Sequence, residues 1–287
     1  MNAPSGNLRT VAVVGTGLIG TSIALALRKQ GVCTYLRDRD PAVAAAAADR
    51  GAGILGSPPA VVDLAVVAVP PADIAAVLVE CQNMGLARSY TDVGSVKSAP
   101  LAEAEAMGCN VTTYLGGHPM AGGERSGPGA AAPELFQDRA WVLTPLPETS
   151  SETFSIVVDF VDKVGAHPIV MTHAEHDRVV ARTSHVPHVI AAALAACLDG
   201  ADAEVLGLCG AGLNDATRIA AGDTTLWTQI LRANATEVSK VLSEVIADLT
   251  AVAHTLSSDS IELPTLLRRG NNGRALLAGK HAGADHG

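Results

Sequence analysis

Aromatic side chains and runs of like charge are scarce in this chain. Only 3% of its 287 residues are Phe, Trp or Tyr, whereas 48% are hydrophobic, so an aliphatic core is expected. The formal net charge is -9, and neither sign forms a long run. Nucleic acids are disfavoured as partners, because binding them requires a basic patch that displaces counterions from the phosphates.

Paired cysteines and an apolar leader are also missing. The five cysteines are scattered without a C-x-x-C motif, which is typical of reduced packing cysteines rather than of a disulfide framework or a zinc site. The first ten residues lack the apolar stretch of a signal peptide. The longest apolar helical stretch, 186–198, contains Pro187 and His188 and is too short to cross a bilayer. We therefore expect a cytoplasmic protein with no membrane partner.

The order of the predicted elements divides the chain into two halves. In the first half, β-branched strands such as 62–70 alternate with helices, which is the pattern of a parallel, doubly wound sheet of the Rossmann type. One more strand is predicted at 166–171, and nearly everything beyond it has helical spacing. We predict an α/β dinucleotide-binding domain over residues 1–171 and an all-helical domain for substrate binding and dimerisation over residues 172–287.

The helical half favours self-association. One helix is predicted over 224–258, and long apolar helices commonly bury their surplus surface against a partner, so we expect a homodimer. The glycine-rich tail that begins at residue 268 is expected to be partly mobile.

The segment 15-GTGLIG-20 carries a dinucleotide-binding pattern in the required context, because it follows a strand and opens a helix. Gly15 permits a tight turn, Gly17 lets the backbone approach a diphosphate, and Gly20 lets the helix pack closely on the strand. Leu18 and Ile19 lie within this segment, and the N-terminus of the helix that the segment opens offers backbone N–H groups to the phosphates. These five residues are predicted to bind the cofactor.

An acidic residue ends the second predicted strand and bears on the choice of cofactor. Asp38 lies 18 residues after Gly20. Its carboxylate can accept hydrogen bonds from the adenine ribose hydroxyls and would repel a 2′-phosphate, which favours NAD over NADP. The flanking Arg37 and Arg39 keep NADP open as an alternative.

Two further strand ends point to the same edge of the sheet. The strand 64–70 stops at a pair of prolines, and we expect Val69 and Pro70 to line the nicotinamide side of the cleft, although proline also simply ends a strand. In 92-DVGSVK-97, Ser95 follows a strand and a glycine. A role as helix N-cap would explain Ser95, and its place at this edge equally favours contact with cofactor and substrate.

The stretch 116-GGHPMAGGERSG-127 places one histidine in a predicted turn after a strand. A neutral imidazole at His118 could accept a proton from a substrate hydroxyl while hydride leaves to the nicotinamide. Activity is then expected to rise with pH through roughly 6–7, the ordinary imidazole range. The glycines that follow, including Gly123, leave room for substrate, and Glu124 or Arg125 contacts it or ties down the loop.

The helical half adds basic groups with two interpretations each. The histidines of this region match no recognised metal pattern, so no metal is predicted, and His185 or His188 of 183-TSHVPH-188 is expected to point into the cleft between the halves. Arg218 is either a surface ion pair, with Asp215 and Asp223 nearby, or the fork that binds a carboxylate through two hydrogen bonds.

Together these motifs resemble those of the prephenate/arogenate dehydrogenases of tyrosine biosynthesis, and the resemblance extends over 11–227. The shared set is GTGLIG, AVVAVPP, DVGSVK, GGHPMAGGERSG, SHVPH and the pattern D-x-T-R-I-A-x-x-D-x-x-x-W that ends at Trp227. The family oxidises a cyclohexadienol with NAD and decarboxylates it in one step. Prephenate gives 4-hydroxyphenylpyruvate in this reaction, and arogenate gives tyrosine.

The resemblance implies a role for each candidate residue. His118 is similar to the histidine that accepts the hydrogen bond from the C4 hydroxyl of the ring, and Ser95 to the residue that contacts both this hydroxyl and the cofactor. His185 and Arg218 look like the groups that hold the carboxylates of a dicarboxylate substrate. The turn that contains Gly123 and Glu124 would then form the floor of the substrate site.

Departures from the family pattern leave the substrate open. Relatives often carry Thr, Ser or Arg in place of Gly123, and polar or basic groups near Ala211 and Asn214. Fewer cationic contacts would suit an amino-dicarboxylate, such as arogenate or the 4-amino-4-deoxyprephenate of aminophenylalanine antibiotic pathways.

Two remoter alternatives share the same scaffold. A β-hydroxyacid dehydrogenase would require a catalytic lysine on the first helix of the helical half, yet Lys163 precedes that region and Lys240 lies far beyond it. A regulator that senses NAD would not require His118 and Arg218 together.

Overall fold

A computed structural model of the chain describes residues 8–123, 125–257 and 261–284, the side chains as far as residue 278. The described chain forms one eight-stranded sheet. Its strands are β1 (Thr10–Val14), β2 (Cys33–Arg37), β3 (Ile54–Leu55), β4 (Val62–Val67), β5 (Ala87–Asp92), β6 (Tyr114–Pro119), β7 (Ala140–Thr144) and β8 (His167–Val170).

The strand order confirms the predicted doubly wound sheet. The strands run β3-β2-β1-β4-β5-β6-β7-β8, and neighbouring strands are parallel except for β6 and β7, which are antiparallel. The chain order reverses between β1 and β4, so a crevice opens outside the carboxyl ends of these two strands. The antiparallel pair and the short strand β3 were not predicted.

Five helices connect these strands and cover both faces of the sheet. They are α1 (Leu18–Lys29), α2 (Pro41–Asp49), α3 (Ile74–Asn83), α4 (Ser98–Ala106) and α5 (Ser151–Lys163). On one face, Leu27 and Phe160 pack in a cluster with the fully buried Trp141. On the other face, Leu78 and Leu101 pack against the strands. The few aromatic residues thus supplement two mainly aliphatic cores, as the composition predicts.

The remaining elements are helical, as expected for the second half. They are α6 (His173–Val180), α7 (Val186–Ala196), α8 (Ala203–Gly207), α9 (Ala211–Thr217), α10 (Thr224–Ala233), α11 (Ala235–Thr255) and α12 (Glu262–Ala284). Helix α6 begins at a capping box, in which Thr172 and Glu175 satisfy each other's backbone N–H groups. The chain divides into two compact units between Ala235 and Thr236. In the second unit, Arg269 pairs with Asp248 at 2.8 Å.

One prediction about the helices is wrong. The helix expected over 224–258 is interrupted at Asn234, whose backbone leaves the helical region and whose side chain bonds elsewhere. The tail that begins at residue 268 is helical through Ala284, as part of α12, and its predicted partial mobility stays a prediction. The glycines of this tail lie among Ala, Leu and Arg, which favour helix, and each costs only about 1 kcal/mol relative to alanine.

Helix α6, a π-helical turn (Ala181–His185) and α7 form a continuous run over 173–196. Among the described residues this run is the one helix that is long and apolar enough to cross a membrane, with a mean hydropathy of 1.2. The stretch 186–198, too short by itself, is thus part of a longer helical run than the sequence predicts. The run is weak evidence for a span, because core helices pass the same test.

Candidate active site

The turn between β1 and α1 is built around its glycines. Gly15 has a φ of 95°, and a Cβ atom there would overlap the Ala68 carbonyl at the end of β4. A Cβ at Gly20 would overlap the Gly15 carbonyl, whereas one at Gly17 would meet no atom within 4 Å. The turn is therefore closed toward the sheet and open at Gly17, where α1 begins. Such an opening suits the close approach of a diphosphate to the helix N-terminus.

The carboxylate of Asp38 is fixed beside this turn. Its Oδ2 atom accepts hydrogen bonds from the Thr16 backbone N–H at 2.6 Å and the Thr16 hydroxyl at 3.0 Å, and its Oδ1 accepts from Asp40 N–H at 3.0 Å. Arg37 points toward the Met84 sulfur at 3.8 Å, and Arg39 toward Asp73 at 3.5 Å. An acidic group thus lies next to the turn, as a ribose diol requires. The residues present fit a dinucleotide.

Two more predicted cofactor residues lie at the carboxyl end of β4. Val69 follows the strand, and its Cγ1 atom would be 3.1 Å from a Cβ at Gly15. Pro70 precedes a 3-10 turn over Pro71–Asp73. Both residues therefore lie beside the glycine turn, at the crevice where the strand order reverses.

Ser95 does not cap a helix. Helix α4 begins at Ser98 with Lys97 as its N-cap residue, so Ser95 lies ahead of the helix in the connection that follows β5. The interpretation of Ser95 as a helix N-cap is therefore wrong. Its backbone forms a weak hydrogen bond with the His185 ring, which acts to raise the pKa of that ring.

His118 lies inside strand β6, not in a turn after it. The strand continues through Pro119, and His118 pairs with Val142 of the antiparallel strand β7. This strand position fixes the backbone of His118 and leaves the side chain partly accessible. The expected turn begins only at Met120.

The His118 ring is the end of a hydrogen-bonded chain of three side chains. Its Nδ1 atom lies 2.8 Å from Nε2 of His176, and the rings meet edge to face with centroids 5.0 Å apart. Nδ1 of His176 lies 2.8 Å from Oδ1 of Asp177. The Asp177 carboxylate also accepts the backbone N–H groups of Lys97 and Ser98 at 2.9 Å. The chain thus links helix α6 to the strand end that carries His118.

The protonation of this chain follows from its acidic end. Burial alone would raise the pKa of Asp177, but hydrogen bonds from His176, Ser98 and Lys97 lower it to about 2, so the carboxylate is ionised and only accepts. Nδ1 of His176 must then carry a proton, and Nε2 of His176 accepts a hydrogen bond from the protonated Nδ1 of His118. Nε2 of His118 is left as an unprotonated acceptor.

Burial and neighbouring basic groups keep His118 neutral. Burial is the largest cause that lowers its pKa well below the usual 6.5, followed by His176, Lys97 and His185. Because the pKa of His118 lies well below 6.5, the rise of activity predicted for pH 6–7 is expected at lower pH. Burial also lowers the pKa of His176.

His185 ends the π-helical turn before α7, and its side chain is buried. Nδ1 of His185 lies 3.1 Å from the Asn234 amide nitrogen, which also donates to the Asp177 carbonyl at 2.8 Å. Because an amide nitrogen only donates, Nδ1 of His185 accepts and Nε2 carries the proton. In the described part of the chain, the buried Nε2 has no well-aligned partner, and a weak hydrogen bond between the Ser95 backbone and the ring acts to raise the pKa. Burial lowers the pKa of His185 to about 4.

The second histidine of the SHVPH motif packs on an aromatic residue. The rings of His188 and Trp227 stack with centroids 3.5 Å apart and planes inclined by 9°, and Trp227 also meets His185 edge to face. Arg218 begins a 3-10 turn over Arg218–Ala221 that packs against α7. The structure therefore brings the Arg218 turn to the helix that follows His185.

Gly123 lies at the nucleotide turn. A Cβ atom at Gly123 would be 3.6 Å from Cδ2 of Leu18, the first residue of α1. Gly123, Leu18 and Arg125 line a cavity of about 130 Å³. Gly123 is therefore placed beside the predicted cofactor site. Glu124, predicted to contact substrate, lies outside the described residues.

Four polar residues of the site have no predicted role there. Asp177 and Asn234 give no local signal, because an acid after a helical His and an amide within a predicted helix resemble surface residues. His176 has a sequence context that suggests at most a metal ligand, and in the described ranges no group of three His, Cys, Asp or Glu is placed to hold a metal. Lys97 belongs to the DVGSVK motif, which assigns it no role.

Comparisons of sequence match both halves of the chain. The nucleotide-binding domain of prephenate dehydrogenase matches residues 23–170, and the dimerization domain of prephenate dehydrogenase matches residues 172–269. The probable prephenate dehydrogenase NovF of Streptomyces niveus is 42% identical over 250 residues, which are 87% of this chain and 69% of that protein. The cyclohexadienyl dehydrogenase of Zymomonas mobilis is 31% identical over 86% of this chain and 88% of its own length.

Comparisons of structure agree with the comparisons of sequence. The prephenate dehydrogenase from A. aeolicus, solved with hydroxyphenyl propionate and NAD+, superposes with a TM-score of 0.84 at 26% identity and covers 96% of this chain and 100% of its own. The arogenate dehydrogenase of Synechocystis superposes with a TM-score of 0.74 at 28% identity, over 93% and 99% of the two chains.

Proposed function

Because the chain belongs to the prephenate dehydrogenase family, we propose that it oxidises a cyclohexadienol and decarboxylates it in one step, with prephenate as the first candidate substrate. The observation that carries the proposal is the chain Asp177–His176–His118, which ends in a neutral, unprotonated imidazole nitrogen at the carboxyl edge of the sheet. Residues 1–171 would bind the cofactor, and residues 172–287 would bind substrate and form the homodimer.

The chemistry assigned to His118 follows from its protonation. Nε2 accepts the hydrogen bond from the C4 hydroxyl of the ring and stabilises the positive charge that develops there as hydride leaves C4. Bound NAD+ supplies the acceptor for this hydride. The electron pair of the C1–carboxylate bond then enters the ring as CO2 departs, and the product is a phenol. His176 and Asp177 hold the His118 ring in its accepting tautomer and share the charge.

The cofactor proposal rests on the glycine turn and on Asp38. Leu18 and Ile19 open α1, so that the N–H groups of the helix N-terminus face the diphosphate across Gly17. Asp38 would bind the ribose hydroxyls and exclude a 2′-phosphate. Arg37 and Arg39 point toward Met84 and Asp73, which weakens the case for NADP. NAD is therefore the proposed cofactor.

The substrate carboxylates are assigned to the helical half. His185 offers a buried Nε2–H donor, which suits a carboxylate even though the ring is neutral. Arg218, on the turn packed against α7, is proposed to bind a carboxylate through two hydrogen bonds. Ser95, whose backbone neighbours His185, would contact the C4 hydroxyl together with His118. Glu124 remains a proposed substrate contact.

His118 offers a neutral acceptor to the group at C4, which suits a hydroxyl. The cation of Lys97 lies near the ring, but the carboxylates of Asp92 and Asp177 balance it, so the charges described there do not exclude an amine. Gly123, whose departure from the family pattern favours 4-amino-4-deoxyprephenate, lies beside Leu18. The departure therefore concerns the cofactor turn rather than the recognition of the C4 group. Prephenate and arogenate differ only in the side chain at C1, and the described contacts favour neither.

NADH formation by the purified protein tests the proposal. Prephenate, arogenate and 4-amino-4-deoxyprephenate are each supplied with NAD+ and with NADP+. We expect turnover of a C4-hydroxyl substrate with NAD+, and a collapse of kcat in His118→Asn while NAD+ still binds. Bound NAD+ without turnover of any substrate would refute the assigned reaction, and turnover by His118→Asn would refute the role of His118.

A further inference from the structure

A buried ion pair joins β5 to the start of α4. Lys97 Nζ contacts Asp92 Oδ2, and the exposed fractions of the two side chains are 1% and 0%. No substrate can reach either charge. A buried ion pair is rarely more stabilising than well-packed apolar side chains of similar volume, so stability alone does not account for it.

The pair is bonded to the backbone directly before both Ser95 and His118. Asp92 accepts hydrogen bonds from the N–H of Gly94 at 2.9 Å and from the N–H of Gly117 at 3.2 Å. Lys97 Nζ donates to the carbonyl of Gly117 at 2.6 Å. Because Gly94 and Gly117 precede Ser95 and His118, one ionic cluster holds two strand ends in register.

Two more bonds extend the cluster. Tyr114, at the start of β6, donates its hydroxyl to Asp92 Oδ1 at 2.8 Å. The backbone N–H of Lys97 donates to Asp177, the acid that also binds His176. The position of α4 is thus coupled to both the strand end and the histidine chain.

We infer that Lys97 and Asp92 are positioning residues, which hold the Ser95 connection and His118 at one separation without touching the substrate. This inference rests on the proposed function, because that function makes Ser95 and His118 partners at one hydroxyl. A displacement of about 1 Å between such groups can cost on the order of 100-fold in rate.

The charge of Lys97 has a second consequence at His118. The titratable groups that act on the His118 ring are His176, Lys97 and His185, and all three lower its pKa. Lys97 in turn faces Asp92 and Asp177. Loss of the Lys97 cation would therefore raise the pKa of His118 and move the acid limb of activity to higher pH.

The test compares Lys97→Met with Tyr114→Phe. Lys97→Met removes the charge and the bond to Gly117, and Tyr114→Phe removes one hydrogen bond to Asp92 while both charges stay. We expect kcat to fall on the order of 100-fold in Lys97→Met and about 3- to 10-fold in Tyr114→Phe. The Kd for NAD+ should change less than about twofold, and the acid limb should move up only in Lys97→Met.

Lys29→Met is the matched control, since it removes a lysine that pairs with Glu134 on the surface. It should leave kcat and the pH limb unchanged. The rate at which the His118 Nδ1 proton exchanges with solvent, measured by NMR, reports the bond to His176 and does not require turnover. The proton signal is assigned by its loss in His118→Asn. We expect faster exchange in Lys97→Met and in Tyr114→Phe than in Lys29→Met.

The outcomes separate the inference from the proposed function. A wild-type protein that oxidises no cyclohexadienol refutes the proposed function, and the proton exchange then decides the inference alone. If Lys97→Met does not fold, because Asp92 is left buried and unpaired, Tyr114→Phe decides it. Wild-type kcat and wild-type exchange in every variant that folds would overturn the positioning role.

Discussion

Replacement of His176 by Phe gives the sharpest test of the histidine chain. The variant keeps a planar ring in a fully buried position but removes the acceptor for Nδ1 of His118. His118 then loses the bond that fixes its accepting tautomer and that strengthens as the ring takes up positive charge. Hydrogen bonds to charged groups contribute about 1.5–3 kcal/mol, and about 1.4 kcal/mol corresponds to a factor of ten. We therefore expect kcat to fall about 10- to 150-fold.

The assay is steady-state NADH formation, with kcat and KM measured separately and NAD+ binding measured by calorimetry. The KM for NAD+ should stay within about twofold, because the His176 bond lies on the substrate side of the proposed site. His167→Phe is the control, since His167 is an exposed histidine on β8 with no bond to His118. A His176→Phe enzyme with the kcat of the wild type would refute the argument that Asp177 and His176 set the tautomer of His118.

Three further predictions concern pH, cofactor and substrate. His185 has a pKa of about 4 in the folded protein and about 6.5 in the unfolded chain, so the unfolded chain binds a proton first as the pH falls. The free energy of unfolding should therefore drop by about 3 kcal/mol between pH 6.5 and 4, and this group should cause no further change below pH 4. Thermal unfolding of the wild type and His185→Gln, compared at pH 7 and 4.5, measures this difference, and equal losses in both would contradict it. Asp38→Ser should raise kcat/KM for NADP+ and lower it for NAD+, each about 10-fold or more, and an unchanged ratio in a cofactor titration would exclude Asp38 from the ribose site. Arg218→Ala should raise the substrate KM by about 10- to 100-fold with less effect on kcat, and an unchanged KM would remove Arg218 from the carboxylate site.

The nucleotide-binding half was predictable because its signals are local. The glycines of the turn and Asp38 have a fixed spacing, and the steric requirement at Gly15 and Gly20 follows from their place between a strand and a helix. The position of His118 at the sheet edge was also predictable, since the sequence places it at the end of a predicted strand. Its place inside β6 was not, because the antiparallel partner β7 lies more than twenty residues further along the chain.

The polar groups around His118 could not be found from the sequence. His176 and Asp177 are 58 and 59 residues away, and only the packing of α6 against the end of the sheet brings them to His118 and α4. Asn234 has the sequence context of a long helix, and its amide instead leaves the helix for Asp177 and His185. Hydrogen bonds between distant elements have no periodicity that a single sequence displays.

Asn234 offers a test that separates the two halves of the proposed site. Its amide donates both to His185, the proposed carboxylate ligand, and to the backbone carbonyl of Asp177 in the histidine chain. Asn234→Leu removes the bond that holds the proton of His185 on Nε2. A neutral hydrogen bond contributes about 0.5–1.5 kcal/mol, so we expect the substrate KM to rise about 2- to 13-fold with kcat nearly unchanged.

The opposite result would be equally informative about Asn234. Helix α6 carries both His176 and Asp177, so a fall in kcat at unchanged KM would mean that the amide supports the histidine chain through Asp177. Measurement of His185→Gln in the same background completes a double-mutant cycle. If Asn234 acts through His185, the KM effects of the two changes should not add, because the second removes what the first has already lost.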